Sequence, residues 1–118
     1  MRENIVKEKS FAFAVRIVHL RQHLVESKKE TVLSKQVLRS GTSVGAMIRE
    51  AEHAETKSDF RHKMAIAQKE INETIYWLEL LHATDYISTE QFNSINNDAT
   101  ELIKLITSIL KTAKSNIG

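Results

Sequence analysis

The sequence predicts an all-α fold, an up-down antiparallel four-helix bundle that forms one domain over residues 1–118. The first observation is that the chain has no proline and only three glycines, so it lacks the turn residues that a sheet protein of this size needs. The second is that apolar residues recur at alternating spacings of four and three along four segments. This is the period of amphipathic helices that pack as a bundle.

The four segments predict helices over residues 4–26, 32–54, 58–83 and 88–114. Capping boxes mark the starts of the last two, with Thr56 three residues before Asp59 and Ser88 three residues before Gln91. The apolar stripes on the first and third helices are wider than one bundle core requires. Either some apolar surface stays exposed, or, as we expect, the protein is a homo-oligomer.

The stretch "RSGTSVGAM" places Gly41 and Gly45 inside the second helix. A phosphate-binding loop would need a preceding strand and a following Lys-Ser or Lys-Thr, and neither is present. The apolar positions stay in phase through both glycines, which favours a continuous helix over a break. Two interior glycines cost about 1 kcal/mol each relative to alanine, so we expect close packing of helices two and three at Gly41, Gly45 and Ala67.

Composition limits the compartment and the chemistry. The chain has no cysteine, no signal-peptide pattern at its start and no apolar segment of membrane-spanning length, so a cytoplasmic protein without membrane contact is expected. Up to Arg49 there are 10 Lys and Arg against 4 Asp and Glu, and after it 7 against 11. This asymmetry indicates either a face for polyanions or complementary contact between the two halves.

The residue patterns typical of enzymes in helical bundles are incomplete or too far apart in this chain. Glu50-x-x-His53 and Glu79-x-x-His82 match the spacing of di-iron ligands in helical bundles. They end successive antiparallel helices, however, and therefore lie about 30 Å apart. No serine or histidine has the partners that a nucleophile needs. We therefore expect a non-enzymatic protein with no catalytic residues, metal site or cofactor, and no small-molecule substrate is evident.

Basic rows remain as the candidate site. On helix two, Lys35, Arg39 and Arg49 share one side, and Arg2, Lys9, Arg16 and His23 repeat every seven residues on helix one. Rows of this kind suit an RNA backbone, although a merely solvated face has the same pattern. The predicted RNA-binding residues are Lys35, Arg39, Arg49, Arg16 and Arg61.

Contacts within the chain reduce the number of side chains that are available to bind RNA. Arg39 lies level with the carboxylates of helix three and is expected to form a structural ion pair with Glu70 or Glu73, which would compete with RNA. Trp77 is expected in the core or an interface, so no aromatic side chain is clearly free to stack on bases. The alternative function is a scaffolding oligomer that binds a protein partner.

Three stretches, "KSFAFAVRIV", "LSKQVLRSGTSVGA" and "IREAEHAETKSDFRHKMAIAQKEINETIYWLELL", carry a family resemblance. Over residues 9 to 82 the chain resembles the four-helix-bundle proteins encoded in intervening sequences of bacterial 23S ribosomal RNA genes. The positions in register are Gln36, Arg39, Ser40, Ser43, Gly45, Glu50, Ala51, Phe60, Ala67, Glu70, Glu73, Trp77 and Leu78. The chain departs from that pattern at Met47, where the family usually has Asn, and at Thr56, where it has Ser.

The resemblance implies a left-handed bundle that assembles as a homopentamer. It also implies kinship with the accessory variability proteins of diversity-generating retroelements, which are similar pentamers that bind nucleic acid and a reverse transcriptase. No activity is firmly assigned to the intervening-sequence proteins themselves, so the resemblance is informative about shape rather than role.

Overall fold

The computed structural model describes the backbone of residues 2–117 and the side chains of residues 4–113. Its four helices are α1 (Arg2–Glu26), α2 (Leu33–Glu52), α3 (Lys57–Ala83) and α4 (Thr89–Ile117). They confirm the four predicted helices, with ends that differ by no more than three residues. The two terminal residues of the predicted domain, and the side chain of Arg2 in the basic row, lie outside the described residues.

The helices form an antiparallel bundle. Each packs against its neighbour in sequence, and α1 closes the ring against α4. Lys7, early in α1, pairs with Glu52 at the end of α2, and Lys9 pairs with Glu101 of α4, as antiparallel neighbours require. The long dimension of 47 Å fits helices that run lengthwise, since 29 residues of α4 span about 44 Å. The left-handed sense stays a prediction.

One core runs along the bundle axis. It is built from the apolar residues that recur at alternating spacings of four and three in all four helices. The largest side chains that are fully buried there are Val6, Phe13, Ile17 and Leu24 from α1, Val37 and Val44 from α2, Met64, Ile71, Leu78 and Leu81 from α3, and Leu102 and Ile106 from α4. Burial of these side chains, at roughly 1.5–3 kcal/mol each, is the main stabilising contribution to the fold.

The helix starts are capped as the sequence indicates, with one addition. Thr56 accepts a hydrogen bond from the Asp59 amide at 3.0 Å, and Ser88 and Gln91 cap each other's amides at 3.1 and 2.8 Å. The unpredicted cap belongs to α2. The buried carboxylate of Glu30 accepts from the amides of Val32, Leu33 and Ser34. A carboxylate at this position satisfies free amides and complements the helix dipole.

Helix α2 runs unbroken through both glycines, as predicted. The helix that approaches them is α1, however, which corrects the expected packing of Gly41, Gly45 and Ala67 between α2 and α3. A Cβ on Gly41 would lie 2.8 Å from Cγ1 of Ile17, and one on Gly45 would lie 3.5 Å from the Ser10 carbonyl oxygen. Helix α2 belongs to two antiparallel hairpins, one with α1 and one with α3, and each hairpin places residues of its two helices side by side.

Helix α2 also packs extensively against α3, and a pair of buried hydroxyl groups joins the two helices. Ser40 and Thr74 are both fully buried, and their hydroxyls share a hydrogen bond of 3.0 Å. Each hydroxyl oxygen also lies within hydrogen-bond distance of the backbone carbonyl four residues earlier, that of Gln36 at 3.1 Å and that of Glu70 at 2.8 Å. The two hydroxyl protons are therefore shared among three contacts. Buried polar groups that are satisfied in this way fix the register of the helices that they join.

The two glycines should respond differently to alanine. Gly41→Ala is expected to lower the free energy of unfolding by about 1–3 kcal/mol, because the new methyl group collides with the stiff, buried Ile17. Gly45→Ala should be neutral or stabilising by up to about 1 kcal/mol, since its methyl group meets Ser10 at an ordinary contact distance and alanine favours the helix. Urea unfolding of both variants measures this, and equal effects would contradict the contact with Ile17.

Candidate nucleic-acid interface

The side of α2 that faces solvent carries the predicted basic row. We call Lys35, Arg39, Thr42, Ala46, Arg49 and His53 the α2 outward face. Spacings of four and three place them along one line, because the opposite side of the helix holds the buried positions. All are exposed except Thr42, which is half-buried and donates its hydroxyl to the Leu38 carbonyl. Lys35 and Arg49 form no ion pair with any described residue.

Arg39 forms the predicted ion pair, and with both acids rather than one. Its guanidinium donates to Glu70 at 3.1 Å and also to Glu73. Trp77 joins the cluster, since its indole N–H donates to the same Glu73 oxygen at 3.0 Å. This last bond is absent from the sequence prediction, although Glu73 and Trp77 are four residues apart on one helix and therefore neighbours.

The cluster changes the pKa values of its members. The indole hydrogen bond from Trp77 is the main cause that lowers the pKa of Glu73 below its ordinary value of 4.5, and Arg39 adds to it. The hydrogen bond to Glu73 raises the pKa of Arg39. Arg39 is half exposed, yet its charge is already compensated by two carboxylates. It is therefore a weaker candidate for a phosphate contact than Lys35 or Arg49.

Arg49 has a different neighbour. Its guanidinium carbon lies 5.4 Å from the centre of the Phe11 ring on α1, a cation–π distance. Phe11 itself is 58% exposed. Both groups border an open cavity of about 530 Å³, whose other lining residues are Asn4, Lys7 and Glu8.

The remaining two predicted residues lie elsewhere. Arg16 donates to Asp98 at 2.6 Å and to Ser94 at 2.9 Å, both on α4. Arg61 is exposed and borders a cavity that Leu110 of α4 also lines. The structure therefore brings Lys35, Arg39 and Arg49 together on one face, and does not bring Arg16 and Arg61 to it.

Ion pairs between helices account for part of the charge asymmetry. Besides Arg16 and Arg39, two lysines of the basic half pair with carboxylates of the acidic half, Lys7 with Glu52 and Lys9 with Glu101. Lys63 pairs with Glu50 of the neighbouring helix α2, within the acidic half. The hydrogen bond from Lys7 lowers the pKa of Glu52, and the hydrogen bond to Glu50 raises the pKa of Lys63. Complementary contact between the halves thus uses several of the cations that the sequence offers to a polyanion.

Two further findings concern the described residues. No group of three or more histidine, aspartate and glutamate side chains there is placed to hold a metal ion. None of the helices found there is both long and apolar enough to cross a bilayer.

The four packed helices define a class, the all-α four-helix bundles. A profile of the 23S rRNA-intervening sequence proteins matches residues 2–108. The chain belongs to this family, as the sequence resemblance indicates. No curated protein matches it.

A solved structure extends the comparison. The chain is similar to the crystal structure of a protein with unknown function from the S23 ribosomal protein family of Bacteroides thetaiotaomicron. The two share 61% identity over 94% of this chain and 99% of the other, with a TM-score of 0.94. The likeness therefore covers the whole bundle.

The Glu73 cluster should make stability depend on pH in the acid range. A carboxylate with a depressed pKa stabilises the fold above its unfolded pKa, and this contribution is lost as the pH falls through the folded value. Trp77→Phe removes the main cause of the shift, so the pKa of Glu73 should rise towards 4.5. Urea unfolding between about pH 6 and pH 3 should then show a smaller loss of stability than in the parent.

Glu73→Gln provides the control for this measurement, because the amide does not titrate. In that background Trp77→Phe should leave the pH dependence unchanged. If Trp77→Phe alone also leaves it unchanged, the indole does not set the pKa of Glu73.

Proposed function

We propose that this protein is a non-enzymatic, oligomeric helical bundle that binds RNA through the α2 outward face. The observation that carries the proposal is the placement of Lys35 and Arg49. Both are exposed on one face and neither is held by a carboxylate of the described chain. They are about 21 Å apart along the helix, a distance over which a single strand passes several phosphates.

Assembly is the second part of the proposal. Helix α1 exposes four large apolar residues. Besides Phe11 they are Ile5, Val15 and Val18, which are 41%, 39% and 38% accessible, and we call these three the α1 assembly face. Exposed apolar surface of this kind supports self-association. On one subunit the α2 outward face offers two cations outside ion pairs with the described residues, Lys35 and Arg49. An oligomer, which we propose is a pentamer, would repeat this face and strengthen binding by multivalency.

The comparisons connect the family with ribosomal RNA but name no ligand. The family is described as 23S rRNA-intervening sequence protein, and the similar structure is assigned to the S23 ribosomal protein family. Both descriptions refer to the ribosome or its RNA. An RNA ligand also agrees with the cytoplasmic location that the sequence predicts.

Charge reversal on the α2 outward face tests RNA binding. The parent should bind a labelled single-stranded RNA of about twelve nucleotides in fluorescence anisotropy, with a salt slope of about 0.7 for each phosphate contact. Lys35→Glu combined with Arg49→Glu should abolish this binding, because both lie where the backbone would pass. Circular dichroism and light scattering should show unchanged helicity and oligomer mass.

A matched control separates position from net charge. Lys104→Glu combined with Lys111→Glu reverses two exposed lysines on α4 and gives the same net charge. This variant should keep most of the affinity. If both double variants lose binding equally, the α2 outward face is not the site, and if the parent does not bind RNA at low salt, the proposed function is wrong.

Assembly is tested by light scattering. The parent should have a mass several times the 13.5 kDa of one chain. Val15→Glu combined with Val18→Glu should shift it towards the single-chain mass, since buried, unpaired carboxylates oppose association. Val32→Glu is the control, because Val32 is 70% exposed but belongs to the start of α2. A parent mass near 13.5 kDa would contradict the oligomer.

A scaffold that binds a protein partner is the second candidate function. Ion pairs within the chain already use Lys7, Lys9, Arg16, Arg39 and Lys63, which reduces the charge available to RNA. The apolar side chains exposed on α1 serve a protein interface equally well. An oligomeric parent without affinity for RNA would favour this function.

A further inference from the structure

Phe11 is an exposed aromatic side chain, although the sequence indicated that none was clearly free to stack on bases. It lies on α1 beside the buried stripe, and more than half of its surface, 58%, is accessible. Leaving a phenyl ring in water forgoes the stabilisation that its burial would give. Its position next to the α2 outward face connects it with the proposed RNA site.

The helix packing sets the position of this ring. Ser10, the residue before Phe11, is the neighbour of Gly45, where α1 and α2 approach each other closely. Arg49 follows Gly45 by one helical turn, which places its guanidinium 5.4 Å from the centre of the Phe11 ring. The pair is therefore held by two helices of a packed hairpin rather than by a loop.

We propose that Phe11 and Arg49 form a stacking site for one unpaired base of a single-stranded RNA, an inference that rests on the proposed function. Aromatic rings and arginine planes are the groups on which proteins stack splayed bases. The open cavity of about 530 Å³ beside them offers space for a base. The base lies against the ring, and the strand continues along α2 towards Lys35.

The cavity also provides groups for the edge of the base. Asn4 supplies an amide that both donates and accepts, and Glu8 supplies a carboxylate that accepts from base amino groups. Lys7 donates to Glu52 at 2.9 Å, so its charge is already compensated. The charged group left for the neighbouring phosphate is Arg49.

The prediction is a loss of affinity without a change in salt dependence. Phe11→Leu keeps an apolar side chain but removes the aromatic face, so single-stranded RNA should bind about tenfold more weakly, within the usual range for one stacked base. The salt slope should match the parent, because no phosphate contact is lost. Phe11→Tyr should retain parent affinity, since tyrosine keeps the ring.

A direct reporter completes the experiment. An RNA that carries 2-aminopurine should lose fluorescence on binding to the parent, because this base is quenched when it stacks, and should lose less on binding to Phe11→Leu. Tyr76→Leu is the matched control. Tyr76 is 56% exposed on α3, away from the cavity, and its replacement should change neither affinity nor quenching.

The outcomes separate this inference from the proposed function. If the parent binds RNA and Phe11→Leu binds equally well, the stacking site is wrong while RNA binding stands. If Phe11→Leu lowers the oligomer mass, Phe11 belongs to the contact between copies and the inference is overturned. If the parent binds no RNA at low salt, the proposed function fails and the stacking site fails with it.

Discussion

The close approach of α1 and α2 is the contact from which the other features of the molecule follow. Gly41 has no Cβ, and Ile17 occupies the space that a Cβ would need. The missing Cβ thus makes room for the Ile17 side chain, and this accounts for a glycine whose helix propensity is poor. One turn further along, the same seam carries Gly45 beside Ser10 and brings Phe11 under Arg49. Packing inside the hairpin thus determines what its outer surface presents.

Two groups of charged side chains can be distinguished, those paired between helices and those outside such pairs on the outward side of α2. Between helices, cations are held by carboxylates of the neighbour, as in the contacts of Arg39 with Glu70 and Glu73. These pairs are half exposed, and exposed pairs contribute at most about 1 kcal/mol each. Their larger effect is to decide which cations are available to a ligand. A cation that is already paired with a carboxylate gains less free energy from binding a phosphate. The outward side of α2 keeps Lys35 and Arg49 outside such pairs.

The sequence predicted the fold well because helix period, capping boxes and absent turn residues all indicate the same structure. It predicted the partners of Arg39 because, in two antiparallel helices, residues at equal distances from the connecting turn lie side by side. It misjudged the neighbours of Gly41 and Gly45, since each helix of the ring has two neighbours and the sequence does not show which one faces a given residue. It also missed Glu30 as the cap of α2 and Trp77 as the donor to Glu73. Side-chain direction decides both contacts, and spacing alone does not specify it.

The residues that hold the fold are largely separate from those proposed to act. Ile17, Ser40 and Thr74 are fully buried, whereas Phe11, Lys35 and Arg49 are exposed. Substitutions at exposed sites usually change stability by less than about 0.5 kcal/mol. A loss of binding caused by the exposed residues therefore reports on the surface itself. The exception is assembly, because Val15 and Val18 lie one and two turns beyond Phe11 on the same helix. Oligomer mass is accordingly the measurement that distinguishes a stacking surface from a contact between copies.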